Sequence, residues 1–577
     1  MPDEIEMKPL GPEPSVINLS DSIPDSDSRL LKLRHDYPVK ADWFKCGVST
    51  LLWIIFIICF VIAFAAVQNA GMFKHSTPGT ANEVRLANLI QWGNASADPC
   101  TDIYDYACGT YSSSYSEASV FEQTQRVLYT ELDKNGMISL LQNITRDAKN
   151  ENYTMEELQA AGITSCVSVE VAPDYTDKSV PAVYISATCA DCIPSRTSGV
   201  PERVTQIPPD IPFPNFYTMI TTAQEHLRNI YFLPPNGTSV LFSDFISKEC
   251  FFNDATNAST IWSQTVENVS APELFRDALN DAMAATVTQT NESQTNYISM
   301  ATQTAVDVII KRVKSELTFQ VEHAAWAEGQ REVLSERIAQ LRVLVGGGQS
   351  IIPSCTLDAA TTLYNCLRFR WQAQLQILSQ SALLDTAKVW DITSSTVNAI
   401  YSPLSDTVQI SAALLRPPLF DYRWHENFQY ASAGFIIAHE ISHALSPVLA
   451  QGWTNAVAQT NSTMTFETCL EGALQASGSE RQIRTAQEIW ADTIAAKAMI
   501  RAFRQDGLKT VKTATTALVQ NFCEAGHKRI RSYVVGEADA HPTAFLRTTT
   551  AVYVASGSQL ESAWNCGSIN PAYNCFI

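Results

Sequence analysis

The stretch Ala438-His439-Glu440-Ile441-Ser442-His443-Ala444-Leu445 places two histidines four residues apart, with a glutamate directly after the first. On a helix, positions four apart lie on one face, so His439 and His443 can converge on a single cation. Glu440 is offset by one residue and reaches a water on that cation without binding the metal itself. Two imidazoles, a further carboxylate and an open position form a zinc centre that activates water against an amide bond. The alternative is an ordinary buried helix that matches by chance. Only nine His occur in 577 residues, which makes a chance match rare. The flanks also suit a buried helix, with apolar Gly434-Phe435-Ile436-Ile437 before the motif and Pro447 to end it.

The third ligand must come from another element. Gln487-Glu488-Ile489-Trp490-Ala491-Asp492 opens a second apolar-periodic stretch that runs to about Phe503. Glu488 and Asp492 are four apart and share one helical face. Glu488 is the candidate third ligand. Asp492 is placed to accept a hydrogen bond from a ligating imidazole, His439 in the first instance, fixing the ring and raising its basicity. Taken alone, the pair also fits an exposed acidic helix face. Near the end, the segment that begins Ala538-Asp539 supplies His541 and Arg547, a donor for a tetrahedral oxyanion and a cation for a substrate carboxylate.

Several further elements are legible. Phe121 to Leu141 has apolar residues at helical spacing, and Ser299 to Val345 runs with few breakers until Gly346-Gly347-Gly348. Pro-rich and sequon-rich loops are expected through much of 170–300. Val408-Gln409-Ile410-Ser411 reads as a strand, along whose edge an extended substrate could add.

The chain carries 40 basic and 59 acidic residues, a net charge of −19, and no basic stripe. That excludes a nucleic-acid partner. Residues 1 to about 28 are rich in Pro, Ser, Asp and Glu and cannot build a core. Basic residues between Arg29 and Lys45 then lead into 21 uncharged residues, Gly47 to Val67, long enough to cross a bilayer as a helix. The excess of positive charge before this span keeps the N-terminus in the cytoplasm. The expected layout is a cytoplasmic tail over 1–46, a signal-anchor helix over 47–67, a stalk over 68–85 and an extracellular domain over 86–577. Eight Asn-x-Ser/Thr sequons follow the span, at Asn94, Asn143, Asn152, Asn236, Asn257, Asn268, Asn291 and Asn461, consistent with a glycoprotein. Of 14 Cys, twelve lie beyond the span, an even number that favours disulfides in an oxidising space. Cys189-x-x-Cys192 leaves cysteine–zinc binding as the other option.

In this order the motifs resemble the neprilysin and endothelin-converting-enzyme family of membrane zinc metallopeptidases. Asp98-Pro99-Cys100-Thr101-Asp102 through Gly109 looks like the family's opening motif. Trp390 with Thr396-Val397-Asn398-Ala399-Ile400-Tyr401 resembles its substrate-binding strand, and Leu415-Arg416-Pro417-Pro418 precedes the His439–His443 helix. Glu488-x-x-Ala491-Asp492, Asp539-x-His541-Pro542 and Arg547 complete the set. The resemblance implies a mainly α fold with a small β component. It would have two lobes, a thermolysin-like zincin catalytic lobe mainly over 385–577 and a helical covering lobe, around a central cleft. It assigns one Zn2+ to His439, His443 and Glu488, the general base to Glu440 and the orienting carboxylate to Asp492. His541 would stabilise the oxyanion, Asn398 and Ala399 would hold the substrate backbone, and Arg547 would receive a substrate carbonyl or carboxylate. It also implies the disulfides Cys100–Cys566, Cys108–Cys523, Cys166–Cys366 and Cys469–Cys575, with Cys189, Cys192, Cys250 and Cys355 unassigned.

Departures are confined to the surroundings. After His443 the chain reads Ala444-Leu445-Ser446-Pro447 where the family continues Gly-Phe-Asp. The stretch from His443 to Glu488 is shorter, Ala412 replaces the usual Pro, and Glu117 falls near the place of a second substrate-anchoring Arg. The function this implies is hydrolysis of extracellular peptides by a type II membrane endopeptidase. The other class that the sequence admits is a catalytically silent surface receptor or adhesion domain on a peptidase scaffold. The sequence fixes no oligomeric state.

Overall fold

The computed structural model describes residues 81–575. Within that range 113–118, 134–135, 165–166, 175, 188–201, 206–213, 234–257, 270, 289–293, 296, 359, 381–382, 385–388, 404, 448–456, 477–482, 504–507, 526–542 and 568–569 are left aside. His541, Glu117 and the apolar stretch 47–67 therefore lie outside the described residues. No described helix is long and apolar enough to cross a membrane.

Local signals explain where the helices begin. Ser119 caps the helix Val120–Leu132 in a reciprocal capping box with Glu122. Ser299 accepts from Thr302 N–H at the head of the helix Met300–His323, and Thr543 does the same for Leu546 at the head of Ala544–Trp564. The stretch expected as one element over 121–141 is two helices. The chain turns through Gly136, in the left-handed region at φ 73°, before Met137–Ala148. The run 299–345 likewise divides into Met300–His323, Arg331–Gln340 and a strand, with Gly329 at φ 83° between the helices.

The loops expected over 170–300 contain a sheet. Strands β1 (Val167–Pro173), β2 (Pro181–Ala187), β3 (Glu202–Arg203) and β4 (Ile230–Leu233) pair in the order β1-β2-β4-β3. Its apolar face, with Val171, Val183, Ile185 and Phe232, packs against Phe216, Ile220, Trp371 and Leu378 from two helices. Of the prolines that suggested loops, Pro214 opens the helix Pro214–Glu225, and Pro201, Pro208, Pro209, Pro212, Pro234 and Pro235 lie outside the described residues. Pro173 and Pro181 end β1 and begin β2, where a missing N–H is tolerated. A two-residue hairpin, β5 (Gln294–Thr295) and β6 (Ile298–Ser299), leads into the long helix.

The second main sheet positions the site. It has β7 (Arg342–Gly346), β8 (Ala399–Ser402) and β9 (Thr407–Ser411) in the order β7-β9-β8, with β7 parallel and β8 antiparallel to β9. The strand expected at 408–411 is present, but it is the central strand and has both edges taken. The outer strands are β7 and β8, and β8, which carries Ala399, is the one whose Tyr401 N–H meets Glu440 of the helix Phe435–His443. Behind this sheet, the helices Phe435–His443, Ile483–Phe503, Leu508–Gln520 and Ala544–Trp564 form a core with Ile437, Ile441, Ile494, Leu518 and Val552 fully buried or nearly so. The fold is thus mainly α with a small β component in two lobes.

The first and last described segments are brought together. Arg85, expected in a stalk, is buried within the helix Ala81–Trp92 and donates to Ala517 C=O at 3.1 Å. Disulfides join Cys100–Cys566, Cys108–Cys523 and Cys469–Cys575 as the resemblance implied. The fourth pairing differs. Cys366, on the first turn of Leu363–Ser379, bonds Cys355, eleven residues away. Cys166 lies outside the described residues.

Candidate metal centre

The helix Phe435–His443 is buried along its whole length, and a π-helical turn, Tyr430–Gly434, feeds into it. A Cβ at Gly434 would come within 3.2 Å of Met499 Sδ, so glycine lets this helix lie close to Ile483–Phe503. That close packing carries Glu488 to the two histidines. His439 Nε2 stands 2.9 Å from His443 Nε2 and 3.3 Å from a Glu488 carboxylate oxygen. The other Glu488 oxygen is 3.6 Å from His443 Nε2. All three residues are buried, and their donor atoms lie within 4.8 Å of one another. Tetrahedral zinc with bonds of about 2.1 Å places its ligand atoms about 3.4 Å apart, so this donor set fits the ion in number, chemistry and spacing.

A layer of charge stands behind the ligands. His439 Nδ1 is 2.8 Å from Asp492 Oδ1. The Arg547 guanidinium forks onto the same carboxylate, with Nε and Nη2 donating at 2.8 and 2.9 Å. Asp492, although fully enclosed, is held well below the usual carboxylate range by Arg547 and His439. The sequence reading gave Arg547 to the substrate. The structure gives it a buried partner on the ligand-bearing helix, and its side chain also passes 3.8 Å from Glu488.

This arrangement sets a proton balance in the metal-free protein. Burial disfavours a charged imidazole at His439, but Asp492, Glu488 and Glu440 outweigh it and raise its pKa to about 10. The folded value lies above the unfolded one of about 6.5. The stabilisation is therefore complete below that pH and is lost as pH rises towards about 10. Binding zinc at pH 8 must then expel roughly one proton per ion. Calorimetric titration in buffers of different ionisation enthalpy measures that proton directly. A heat independent of buffer would mean that His439 is already neutral.

Arg547→Met strands Asp492 beside His439 without its guanidinium. Losing one member of a buried pair costs about 3–5 kcal/mol, and disturbing the partner of a ligating histidine lowers metal affinity about 10–100-fold. Urea unfolding and competitive zinc titration of the variant read both quantities. An unchanged midpoint would mean that the pair contributes no net stability.

Glu440 is buried and turned towards the sheet. One carboxylate oxygen is 4.0 Å from His439 Nε2, farther than either Glu488 oxygen is from its nearer imidazole, and the other accepts from Tyr401 N–H at 2.7 Å. Since Tyr401 N–H points at the metal helix, Ala399, two residues earlier, faces the same open edge of β8. Asn398 is exposed, and its Oδ1 accepts from Ala399 N–H at 2.9 Å. The structure thus brings His439, His443, Glu488, Glu440, Asp492, Arg547, Asn398 and Ala399 to one locality. Sequence reasoning names Tyr401 only as part of the substrate-binding strand, and its contact with Glu440 is not legible there, because a backbone N–H has no signature in a side-chain motif.

The turn after His443 departs from the resemblance and is held by polar contacts of its own. Ser446 is fully buried and donates to Gln487 Oε1 at 2.5 Å, directly beside Glu488. Arg337 Nε donates to Ala444 C=O at 3.4 Å.

Comparison with known proteins agrees with this geometry. Residues 398–568 match the model of peptidase family M13. Neprilysin-3 of Drosophila melanogaster is 23% identical over 24% of this chain and 19% of its own length. Endothelin-converting enzyme-like 1 of Rattus norvegicus is 22% identical over 26% of this chain and 20% of its own. The matched stretch thus spans about a fifth of these curated relatives. Among solved structures, an inhibitor-bound zinc metalloprotease of Mycobacterium tuberculosis shares the fold with a TM-score of 0.57 at 14% identity, over 85% of this chain and 99% of that one. The donor set, the helices that deliver it and the matched pattern agree: over residues 398–568 this chain resembles peptidase family M13.

Proposed function

We propose that the protein is a zinc metalloendopeptidase that hydrolyses peptides. The observation that carries this reading is the buried convergence of His439, His443 and Glu488, with Glu440 alongside and held by Tyr401 N–H. His439, His443 and Glu488 would hold the ion. When bound, zinc supplies a Lewis acid that polarises the scissile carbonyl and makes a water at the site acidic. Glu440 takes the water's proton and passes it to the leaving amine. Asp492 fixes His439 in the tautomer that presents Nε2. Ala399 C=O, on the open edge of β8, accepts from the substrate backbone, and the Asn398 amide adds a second contact. His541 donates to the developing oxyanion, and Arg547, anchored on Asp492, receives a carbonyl on the leaving-group side.

The location completes the proposal. Residues 47–67 are a signal anchor, 1–46 lie in the cytoplasm, and the chain beyond the stalk faces the extracellular space, where peptides are its substrates. The apolar length of 47–67, the charge bias before it and the sequons after it support this topology. The described disulfides suit an oxidising compartment.

A quenched-peptide library presented to the zinc-loaded protein tests the activity, with chelator and Glu440→Gln as controls. Cleavage abolished by both is the expected result. Zinc-loaded protein that cleaves no member of a broad library would leave the silent-receptor reading in its place.

A further inference from the structure

Arg337 lies on the helix Arg331–Gln340, outside the family-matched residues and outside the ligand set, yet its guanidinium grips three parts of the site. Nε donates to Ala444 C=O, one residue past His443. Nη1 donates to Asp406 Oδ2 at 2.6 Å, and Nη2 donates to Asp406 Oδ1 and, at 3.0 Å, to the Tyr401 hydroxyl. Tyr401 in turn donates its hydroxyl proton to Asp406 Oδ1 at 3.0 Å. Arg337 and Tyr401 are each 8% exposed, so this network sits in a medium where misplacement is not relieved by water.

What the network fixes is the position of β8. Asp406 ends the β8–β9 turn in the left-handed region, at φ 53°, a conformation that a non-glycine residue keeps only when its surroundings impose it. The Arg337 fork supplies that constraint. From the other lobe, Lys178 Nζ donates to Pro403 C=O at 3.3 Å and holds the same turn. Tyr401 is therefore anchored at both ends. Its side chain is tied to Arg337, and its N–H is tied to Glu440. Because Arg337 also holds the exit of the metal helix, the distance between that helix and the open edge of β8 is set by one side chain.

We propose that Arg337 is a positioning residue. It holds the substrate-accepting edge of β8 in register with the metal helix and, through Tyr401 N–H, aims the Glu440 carboxylate. The inference rests on the peptidase reading for its kinetic consequence but not for its structural one. Lysine would keep a charge beside Asp406 but has no planar fork to reach Ala444, Asp406 and Tyr401 together.

The test uses the full chain with Arg337→Met, Arg337→Lys and Tyr401→Phe. It reads zinc content, hydrogen exchange at the Tyr401 amide, and kcat and KM on a quenched peptide. The expected result is unchanged zinc in all three, with Tyr401 exchange faster by tenfold or more. A displacement on the order of 1 Å lowers rates about a hundredfold, so kcat/KM should fall by about that factor in Arg337→Met. The fall should be smaller in Arg337→Lys and Tyr401→Phe. Should Arg337→Met not fold, Tyr401→Phe removes one arm of the network without leaving a buried charge and decides the matter. Exchange and kcat/KM within twofold of the unsubstituted protein would overturn the proposal, as would loss of zinc in step with activity. If the unsubstituted protein cleaves nothing, the peptidase reading fails while the exchange measurement still decides the role of Arg337.

Discussion

Glu440→Gln keeps the zinc and loses the reaction. The substitution preserves size and one oxygen, so Tyr401 N–H retains an acceptor and the buried helix Phe435–His443 is undisturbed. Glutamine cannot accept a proton from water at neutral pH. A positioned general base contributes about a hundred- to ten-thousand-fold, and that is the expected fall in kcat. KM should stay within a few-fold, because Glu440 makes no contact with the part of the substrate that lies along β8. Metal analysis showing a full complement of zinc beside the lost kcat is the signature. Zinc lost together with activity would make Glu440 a ligand in place of a base.

Glu488→Ala has the opposite signature, because the protein should no longer hold the ion. Glu488 brings the only carboxylate among the three converging donors, and its oxygens lie 3.3 and 3.6 Å from the two imidazoles. Without it, two neutral nitrogens face a doubly charged ion in a buried site, and the desolvation of the ion is no longer offset. Zinc present at a thousandfold excess over its Kd stabilises the fold by about 4 kcal/mol, so the unsubstituted protein should show a clear rise in Tm on zinc addition. The Glu488→Ala protein should show none and should cleave no peptide at any zinc concentration that leaves it soluble. A zinc-dependent shift that survives the substitution would mean that another group supplies the third ligand.

The two variants separate what the sequence makes legible from what it hides. His439, His443, Glu488 and Asp492 could be placed because helical spacing of four converts linear order into a shared face. The structure puts them where that rule requires, with Asp492 2.8 Å from His439. The helical class was legible for the same reason. The sheet β1-β2-β4-β3 was not, since β4 pairs with β2 across more than forty residues that include the helix Pro214–Glu225, and the prolines of 201–235 read locally as loop. The order of β7, β9 and β8 was hidden too, because which strand is central depends on a partner, Arg342–Gly346, more than fifty residues away. Arg337 left one faint signal. It occupies the apolar stripe of its helix, between buried Leu334 and buried Ile338, where an arginine belongs only if something polar meets it. Cys366 shows the limit of likeness as a guide. The inherited pairing pointed to Cys166, and the local geometry favours Cys355.

The joining of the chain's early and late parts bears on when the site can exist. Ile103 N–H is held by the Tyr553 hydroxyl, Arg85 reaches Ala517, and Cys100 and Cys108 bond to Cys566 and Cys523. A chain that emerges from its N-terminus has exposed Arg85 and Cys108 long before their partners are made. Until roughly the last tenth of the sequence arrives, the helix bearing His439 and His443 has no Ala544–Trp564 beside it, and Asp492 has no Arg547. A prematurely terminated product would carry the whole His-Glu-x-x-His motif and still lack the charge layer that orders it. The candidate metal site therefore acquires its charge layer only after Arg547 has been added, long after the motif itself has been made.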